Sequence, residues 1–187
     1  MGKESEKVKK EVVAVEEKPT WLSDDNIGVF QNSKFNKIMS FYVINTLDTR
    51  KSARGRKIED YHFEDGELDG LLKKGLKYWK SSGNGQLVMK NLKESELDIF
   101  PPLADYSERV CFSYTKQCEL IYFFGHIRNS LAHGRFNIVG TKKDPIIIME
   151  DRNSSGNCSA RMILHLSTMN KWITLFESRF GIDNNKI

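Results

Sequence analysis

The stretch FFGHIRNSLAHGRF, residues 123–136, is the most informative part of this 187-residue chain. Apolar side chains open it, and polar side chains then interrupt a strongly hydrophobic segment. Five polar residues fall within about two helical turns: His126, Arg128, Asn129, Ser130 and His133. Gly134 ends the pattern, as glycine commonly does just past a helix. Such a cluster indicates either a reactive site or a helix that reaches the surface near its end.

The apolar residues around this cluster predict a long central helix over residues 107–133. An apolar stripe at helical spacing runs along it: Leu120, Phe124, Ile127 and Leu131. Cys111 and Cys118 lie seven residues apart, and we expect both to be core residues rather than reactive thiols. The helix should therefore bury one side and present the polar cluster on another.

Helix geometry divides the polar cluster into two groups. At about 100° per residue, His126, Asn129 and His133 share one side of the helix. Arg128 precedes His133 by five residues and lies about 140° away around the axis. The two side chains can meet if Arg128 bends towards the shared side, or if a second subunit completes the pocket.

The rest of the chain predicts a mainly α fold. Apolar residues at helical spacing predict further helices over residues 33–50, 65–81 and 168–180. Between the last two of the four helices, the apolar runs PIIIMED and CSARMILHLS flank the polar turn RNSSGN, which predicts a β-hairpin. The expected architecture is a helical bundle with this hairpin inserted before the last helix. Residues 21–187 would form the domain, and residues 1–20 a flexible charged tail.

Charge and composition favour a water-soluble protein that could bind an acidic partner. The net charge is +4 and the sequence pI is about 8.9, which permits RNA as a partner. The segment RKSARGRK, residues 50–57, concentrates this charge, with Arg54, Arg56 and Lys57 as candidate phosphate contacts. The alternative is a solvated loop. No apolar run reaches the ~18–20 residues that cross a bilayer, and we expect a cytoplasmic protein without a membrane partner.

The chemistry of the polar cluster suits phosphodiester cleavage without a metal. A histidine can take or return a proton near neutral pH, and an arginine fork matches phosphate oxygens. In RNA the neighbouring 2′-hydroxyl supplies the nucleophile. The metal alternative would use Cys118, His126 and His133, which fall roughly on one side of the helix. One helix rarely supplies a full ligand set, so no metal or cofactor is predicted.

The segment RNSLAH also resembles the signature R-x(4–6)-H of the HEPN family (higher eukaryotes and prokaryotes nucleotide-binding). The asparagine after the arginine and the closing AHG make it similar to bacterial HEPN proteins of the toxin and phage-defence type. The resemblance implies a small all-α bundle that forms a homodimer, with two Arg–His motifs facing one cleft. It further implies a metal-independent RNA endonuclease that leaves a 2′,3′-cyclic phosphate.

Carried onto this chain, the resemblance implies a role for each residue of the motif. His133 would be the acid/base, Arg128 would bind the scissile phosphate, and Asn129 would support either. His126 and Ser130 are candidate supporting residues, and two further arginines are candidate RNA contacts: Arg135 and Arg161. Some HEPN domains are non-catalytic, so a dimerisation or partner-binding module is the alternative. A toxin silenced by an antitoxin protein is a third hypothesis.

Overall fold

The computed structural model describes the following residues: 32–44, 66–67, 70–71, 74–82, 87, 89–101, 105–114, 119–140, 143 and 145–183, with side chains to residue 178. The predicted tail over residues 1–20, the basic segment over residues 50–57 and Cys118 lie outside these residues.

Helices and strands are mixed along the described chain. The helices are α1 (Ser33–Met39), which continues into a π-helical turn (Ser40–Ile44), α2 (Met89–Glu94), α3 (Glu119–Ala132) and α4 (Leu166–Asp183). The strands are β1 (Lys77–Ser82), β2 (Arg109–Tyr114), β3 (Phe136–Val139), β4 (Ile146–Arg152) and β5 (Cys158–His165). Glu67, Gly70 and Leu71 are also helical.

The strands form one five-stranded mixed sheet in the order β1-β2-β5-β4-β3. β1 and β2 run parallel, with Lys77 opposite Arg109, and α2 lies between them in the chain. The other neighbours are antiparallel, and β4 pairs with β5 from Ile146 opposite His165. The hairpin predicted around RNSSGN is therefore present, but it forms part of the middle of a sheet.

This sheet shows that the predicted mainly α bundle is wrong. Residues 77–81, predicted to end a helix, lie in β1, and residues 109–114, predicted to begin the central helix, lie in β2. β3 was not predicted at all. All but the last residue of β2 are buried, and a short strand with two covered faces shows no alternation that would distinguish it from a helix.

The main core lies between one face of the sheet and the helices α1, α3 and α4. Phe123, Phe124 and Ile127 of α3 are buried there, together with Phe112 of β2 and Met162 of β5. A smaller cluster fills the opposite face of the sheet. Its buried members come from α2, the segment after it and three of the strands: Leu92, Leu97, Cys111, Ile148 and Ile163. The apolar stripe predicted for the central helix is confirmed over Glu119–Ala132, and so is the core position of Cys111.

Phe124 lies at the centre of the aromatic packing that joins the helices. Its ring centroid lies 5.0 Å from that of Phe176, 5.9 Å from that of Trp172 and 6.0 Å from that of Tyr42. α1 begins at Ser33 because Asn32 caps it: the side chain of Asn32 accepts hydrogen bonds from the backbone N–H groups of Lys34 and Phe35. Aromatic contacts thus connect the π-helical turn, α3 and α4.

We predict that Phe124→Ala lowers the free energy of unfolding by about 3–5 kcal/mol, because it leaves a cavity among these rings. Ile44→Ala is the control, since Ile44 is 57% exposed and should change stability by no more than about 0.5 kcal/mol. Urea denaturation of both variants measures the difference. Equal losses in the two variants would contradict the described packing.

Candidate functional site

The polar cluster lies at the C-terminal end of α3, and the backbone there forms a Schellman motif. Gly134 has a φ of +65°, a conformation that favours glycine. Its N–H donates to the carbonyl of Leu131 at 3.2 Å, and the N–H of Arg135 donates to that of Ser130 at 2.8 Å. The predicted helix end at Gly134 is therefore confirmed. The Schellman motif determines where the helix ends, and His133 is exposed to solvent there.

The motif residues differ in burial. His133 is exposed, whereas Arg128 and Asn129 are half-buried. Nη1 of Arg128 donates to Oδ1 of Asn129 at 3.0 Å. Among the described residues no hydrogen bond joins Arg128 to His133. The guanidinium therefore bends towards the side of the helix that carries Asn129 and His133, and it contacts Asn129, one turn before His133.

His126 is buried and has both ring nitrogens engaged. Nδ1 lies 2.7 Å from Oδ2 of Asp151, and Nε2 lies 2.8 Å from the backbone carbonyl oxygen of Ser113. His126 is 8% exposed, and Asp151 is 3% exposed. These two contacts connect α3 to β4 and to β2.

The hydrogen bonds around Asp151 indicate how the protons are arranged. The carbonyl of Ser113 can only accept, so Nε2 of His126 must carry a proton. Oδ1 of Asp151 accepts from the N–H of Arg152 at 2.9 Å, and Oδ2 accepts from Nδ2 of Asn129 at 3.3 Å. Nδ1 of His126 faces the same carboxylate at 2.7 Å, so neither ring nitrogen is available to a substrate.

A chain of contacts runs from this buried pair to the arginine of the motif. Asp151 accepts from Asn129, and Asn129 in turn accepts from Arg128. Nε of Arg128 is buried without a hydrogen-bond partner among the described residues. The buried carboxylate therefore orients the amide, and the amide orients a guanidinium that still has an unused donor.

Ser130 has a structural position. It is fully buried, and its hydroxyl donates to the carbonyl of His126 at 2.8 Å, one turn earlier in the same helix. Its own carbonyl accepts from the N–H of Arg135, so Ser130 contributes to the end of α3 through the backbone.

The arginines predicted to contact RNA are not all brought to this end of α3. Arg135 is half-buried directly after the helix. Arg161 lies on the opposite face of the sheet, where its Nε donates to Glu150 at 2.9 Å and its Nη1 donates to the carbonyl of Leu97 at 2.7 Å. Three candidates lie outside the described residues: Arg54, Arg56 and Lys57.

Sequence reasoning did not identify Asp151 or the carbonyl of Ser113. Asp151 follows Glu150 at the end of a strongly apolar run, and both carboxylates are buried. Buried carboxylates require partners, so an acidic pair that ends an apolar strand was an available signal. The identity of the partner was not available, because 25 residues separate Asp151 from His126.

Two observations concern the thiols and the potential metal-ligating side chains of the described residues. No group of three or more His, Cys, Asp or Glu side chains there could hold a metal ion. Burial raises the pKa of Cys111 to about 11, and burial together with the Glu150 carboxylate raises that of Cys158 to about 12. Both thiols are therefore protonated near neutral pH. None of the helices described has the length and apolar character that crossing a membrane requires.

We predict that Asp151→Ala lowers the free energy of unfolding by about 1–3 kcal/mol, because it leaves the buried ring of His126 without its hydrogen-bond partner at Nδ1. Asp98→Ala is the matched control: Asp98 is exposed, and its substitution should change stability by no more than about 0.5 kcal/mol. Urea denaturation compares the two variants with the wild type. A loss at Asp151 as small as that at Asp98 would contradict the buried contact between His126 and Asp151.

Comparison with known proteins identifies the family. No curated protein and no solved structure matches the chain. The profile of the family described as HEPN pEK499 p136 matches residues 31–180, which include β1 to β5, all four helices up to residue 180, and the motif at the end of α3. The predicted membership in the HEPN family is thereby confirmed. The chain belongs to the HEPN pEK499 p136 family.

Proposed function

We propose that this HEPN protein is a metal-independent RNA endonuclease that acts as a homodimer. The observation that carries the proposal is the end of α3, where Arg128 is oriented by Asn129 and an exposed His133 follows one turn later. A basic sequence and membership in the HEPN family support RNA as the substrate.

The reaction needs one proton to leave and one to arrive. The 2′-hydroxyl of the RNA attacks the adjacent phosphorus, the P–O5′ bond breaks, and a 2′,3′-cyclic phosphate and a 5′-hydroxyl result. His133 takes the proton of the 2′-hydroxyl, and a protonated imidazole returns one to the leaving O5′. His133 suits this role because its exposed ring can meet a substrate, whereas the ring of His126 is buried and paired.

Arg128 would stabilise the charge that develops on the phosphate. Its Nη1 is held by Asn129, and the side chain is only half-buried, so phosphate oxygens can bind the rest of the guanidinium fork. Asp151 orients Asn129 from behind and so preorganises the arginine. Asp151 is thus a positioning residue in this proposal.

A second copy of the chain would complete the site. In one chain Arg128 contacts Asn129 and not His133, so we place Arg128 of one subunit against His133 of the other. A two-fold axis then yields two equivalent Arg–His pairs in one cleft. We further propose that the enzyme acts in the cytoplasm as a toxin or phage-defence component, with an antitoxin protein as its regulator.

We predict that the wild-type protein cleaves mixed single-stranded RNA in excess EDTA, and that His133→Ala and Arg128→Ala each lose at least about 100-fold in rate, the size of a general acid–base contribution. Gel electrophoresis of end-labelled RNA measures the rates and detects the cyclic phosphate. Lys143→Ala, which changes an exposed residue outside the motif, is the control and should retain its rate.

Three results would contradict this proposal. Absence of cleavage by the wild type, with the dimer intact, would favour a non-catalytic partner-binding module. Equal cleavage by all variants would exclude the motif as the source of activity. A loss of activity on chelation would instead indicate a metal-dependent reaction.

We also predict that mixing inactive Arg128→Ala and inactive His133→Ala proteins restores cleavage. In a mixed dimer, one site contains the intact arginine of one subunit and the intact histidine of the other. Random exchange should therefore recover about a quarter of the wild-type activity, since half of the dimers are mixed and each mixed dimer has one intact site out of two. Co-expression or refolding of the two proteins together, followed by the same cleavage assay, measures it.

The control mixes the His133→Ala protein with a double variant that carries both Arg128→Ala and His133→Ala. That combination never assembles an intact pair from two subunits and should remain inactive. Recovery in neither mixture would show that each site takes both residues from one chain.

A further inference from the structure

A cavity of about 300 Å³ adjoins the motif on the side away from the helix end. α3 contributes Tyr122, His126 and Asn129 to its lining, and the β4–β5 hairpin contributes Asp151, Arg152 and Ser159. Asn129 therefore lines the cavity, and its side chain also accepts the hydrogen bond from Arg128. Whatever occupies the cavity lies next to the proposed phosphate contact.

The lining of the cavity is shaped by a β-bulge. Asp151 lies opposite Ala160, but Arg152 lies opposite Cys158, so Ser159 is an additional residue in β5. A bulge interrupts the alternation of a strand and redirects a side chain. Its position beside the cavity brings Ser159 to a wall that already contains the buried Asp151.

Ser159 also carries an unmet hydrogen-bonding group. The residue is 3% exposed, and its Oγ has no hydrogen-bond partner among the described residues. A buried hydroxyl without a partner costs free energy, and a ligand with a donor or an acceptor would recover it. This is an independent sign that the cavity is built to receive a polar ligand.

The charged groups in the lining already have partners. Asp151 is paired with His126, and Nε of Arg152 donates to Glu150 at 2.7 Å. A free anion would meet the Asp151 carboxylate, which disfavours phosphate as the occupant. What the cavity offers is neutral: the hydroxyl of Ser159, the second N–H of the Asn129 amide, and the half-buried ring of Tyr122.

We propose that this cavity binds one unstacked nucleobase of the RNA, that of a nucleotide next to the scissile phosphate. The volume is at the small end for ligand pockets and suits a single nucleoside. Single-stranded RNA is recognised by bases that stack on aromatic rings and hydrogen-bond along their edges, and Tyr122 with Ser159 and Asn129 provides both. The inference rests on the proposed nuclease function and gives that nuclease a base preference.

The position of Tyr122 strengthens this assignment. Tyr122, His126, Asn129 and His133 follow one another at i, i+4, i+7 and i+11 and so lie along one side of α3. The stripe therefore carries, in order, an aromatic ring, a buried histidine, the arginine-binding amide and the proposed acid/base. A nucleotide lying along it would place its base at Tyr122 and its phosphate towards His133.

The test separates base binding from cleavage. In the His133→Ala background, calorimetry measures the binding of the four ribonucleoside 5′-monophosphates and of ribose 5-phosphate, which has no base. We expect at least one nucleotide to bind roughly tenfold more tightly than ribose 5-phosphate, the size of one stacked base. Ser159→Val should abolish the difference, because it removes the hydroxyl and places methyl groups in the wall of the cavity.

Two further variants keep the result interpretable. Ser155→Val is the matched control, since Ser155 is exposed in the same hairpin turn outside the cavity and should retain the preference. Tyr122→Leu removes the aromatic ring and keeps an apolar side chain, and should weaken nucleotide binding by roughly tenfold even if Ser159→Val fails to fold. In the active protein, Ser159→Val should change which bases flank the cleaved bonds.

The outcomes distinguish this inference from the proposed function. Cleavage that depends on His133, with unchanged flanking bases in Ser159→Val and nucleotides binding no better than ribose 5-phosphate, would overturn the base pocket alone. Base-dependent nucleotide binding without any RNA cleavage would overturn the nuclease and support the pocket.

Discussion

The buried contact between His126 and Asp151 is the interaction on which the arrangement of the site depends. It joins α3 to β4 at 2.7 Å, and the carbonyl of Ser113 extends it to β2. Burying two polar groups costs free energy even when they pair, and an apolar pair of similar size is often no less stable. The contact is therefore better explained by what it positions than by what it stabilises. It fixes the rotation of α3 against the sheet, and with it the direction of Asn129.

Much of α3 could be predicted from the sequence, because its signals are local. The residues of its apolar stripe, such as Phe124 and Ile127, are spaced three or four positions apart. Gly134 marks the end of the helix because glycine adopts the positive φ found there. The β4–β5 hairpin was also predictable, since a polar turn separates two apolar runs. Each of these elements is defined by residues a few positions apart.

The sheet as a whole was not predictable in this way. In β1, Trp79 contacts the smaller apolar cluster and Tyr78 packs against the main core, so both faces are covered and no alternation is visible. The same holds for β2, where Cys111 and Phe112 are both buried. Such segments become strands because a neighbouring strand supplies their hydrogen bonds, and that neighbour is distant in sequence. The site shows the same division: the stripe of His126, Asn129 and His133 followed from helix geometry, whereas Asp151 required the fold.

The offset of Arg128 now has a structural explanation that also bears on the number of subunits. The contact with Asn129 bends the guanidinium onto the polar stripe, but it holds it at the level of Asn129, about 6 Å along the axis from His133. A two-fold axis through the cleft would bring His133 of the partner subunit to this arginine, and the symmetric contact would form a second, equivalent pair. The bend within one chain and the pairing between two chains are then complementary: the first orients the phosphate contact, and the second brings the acid/base to it.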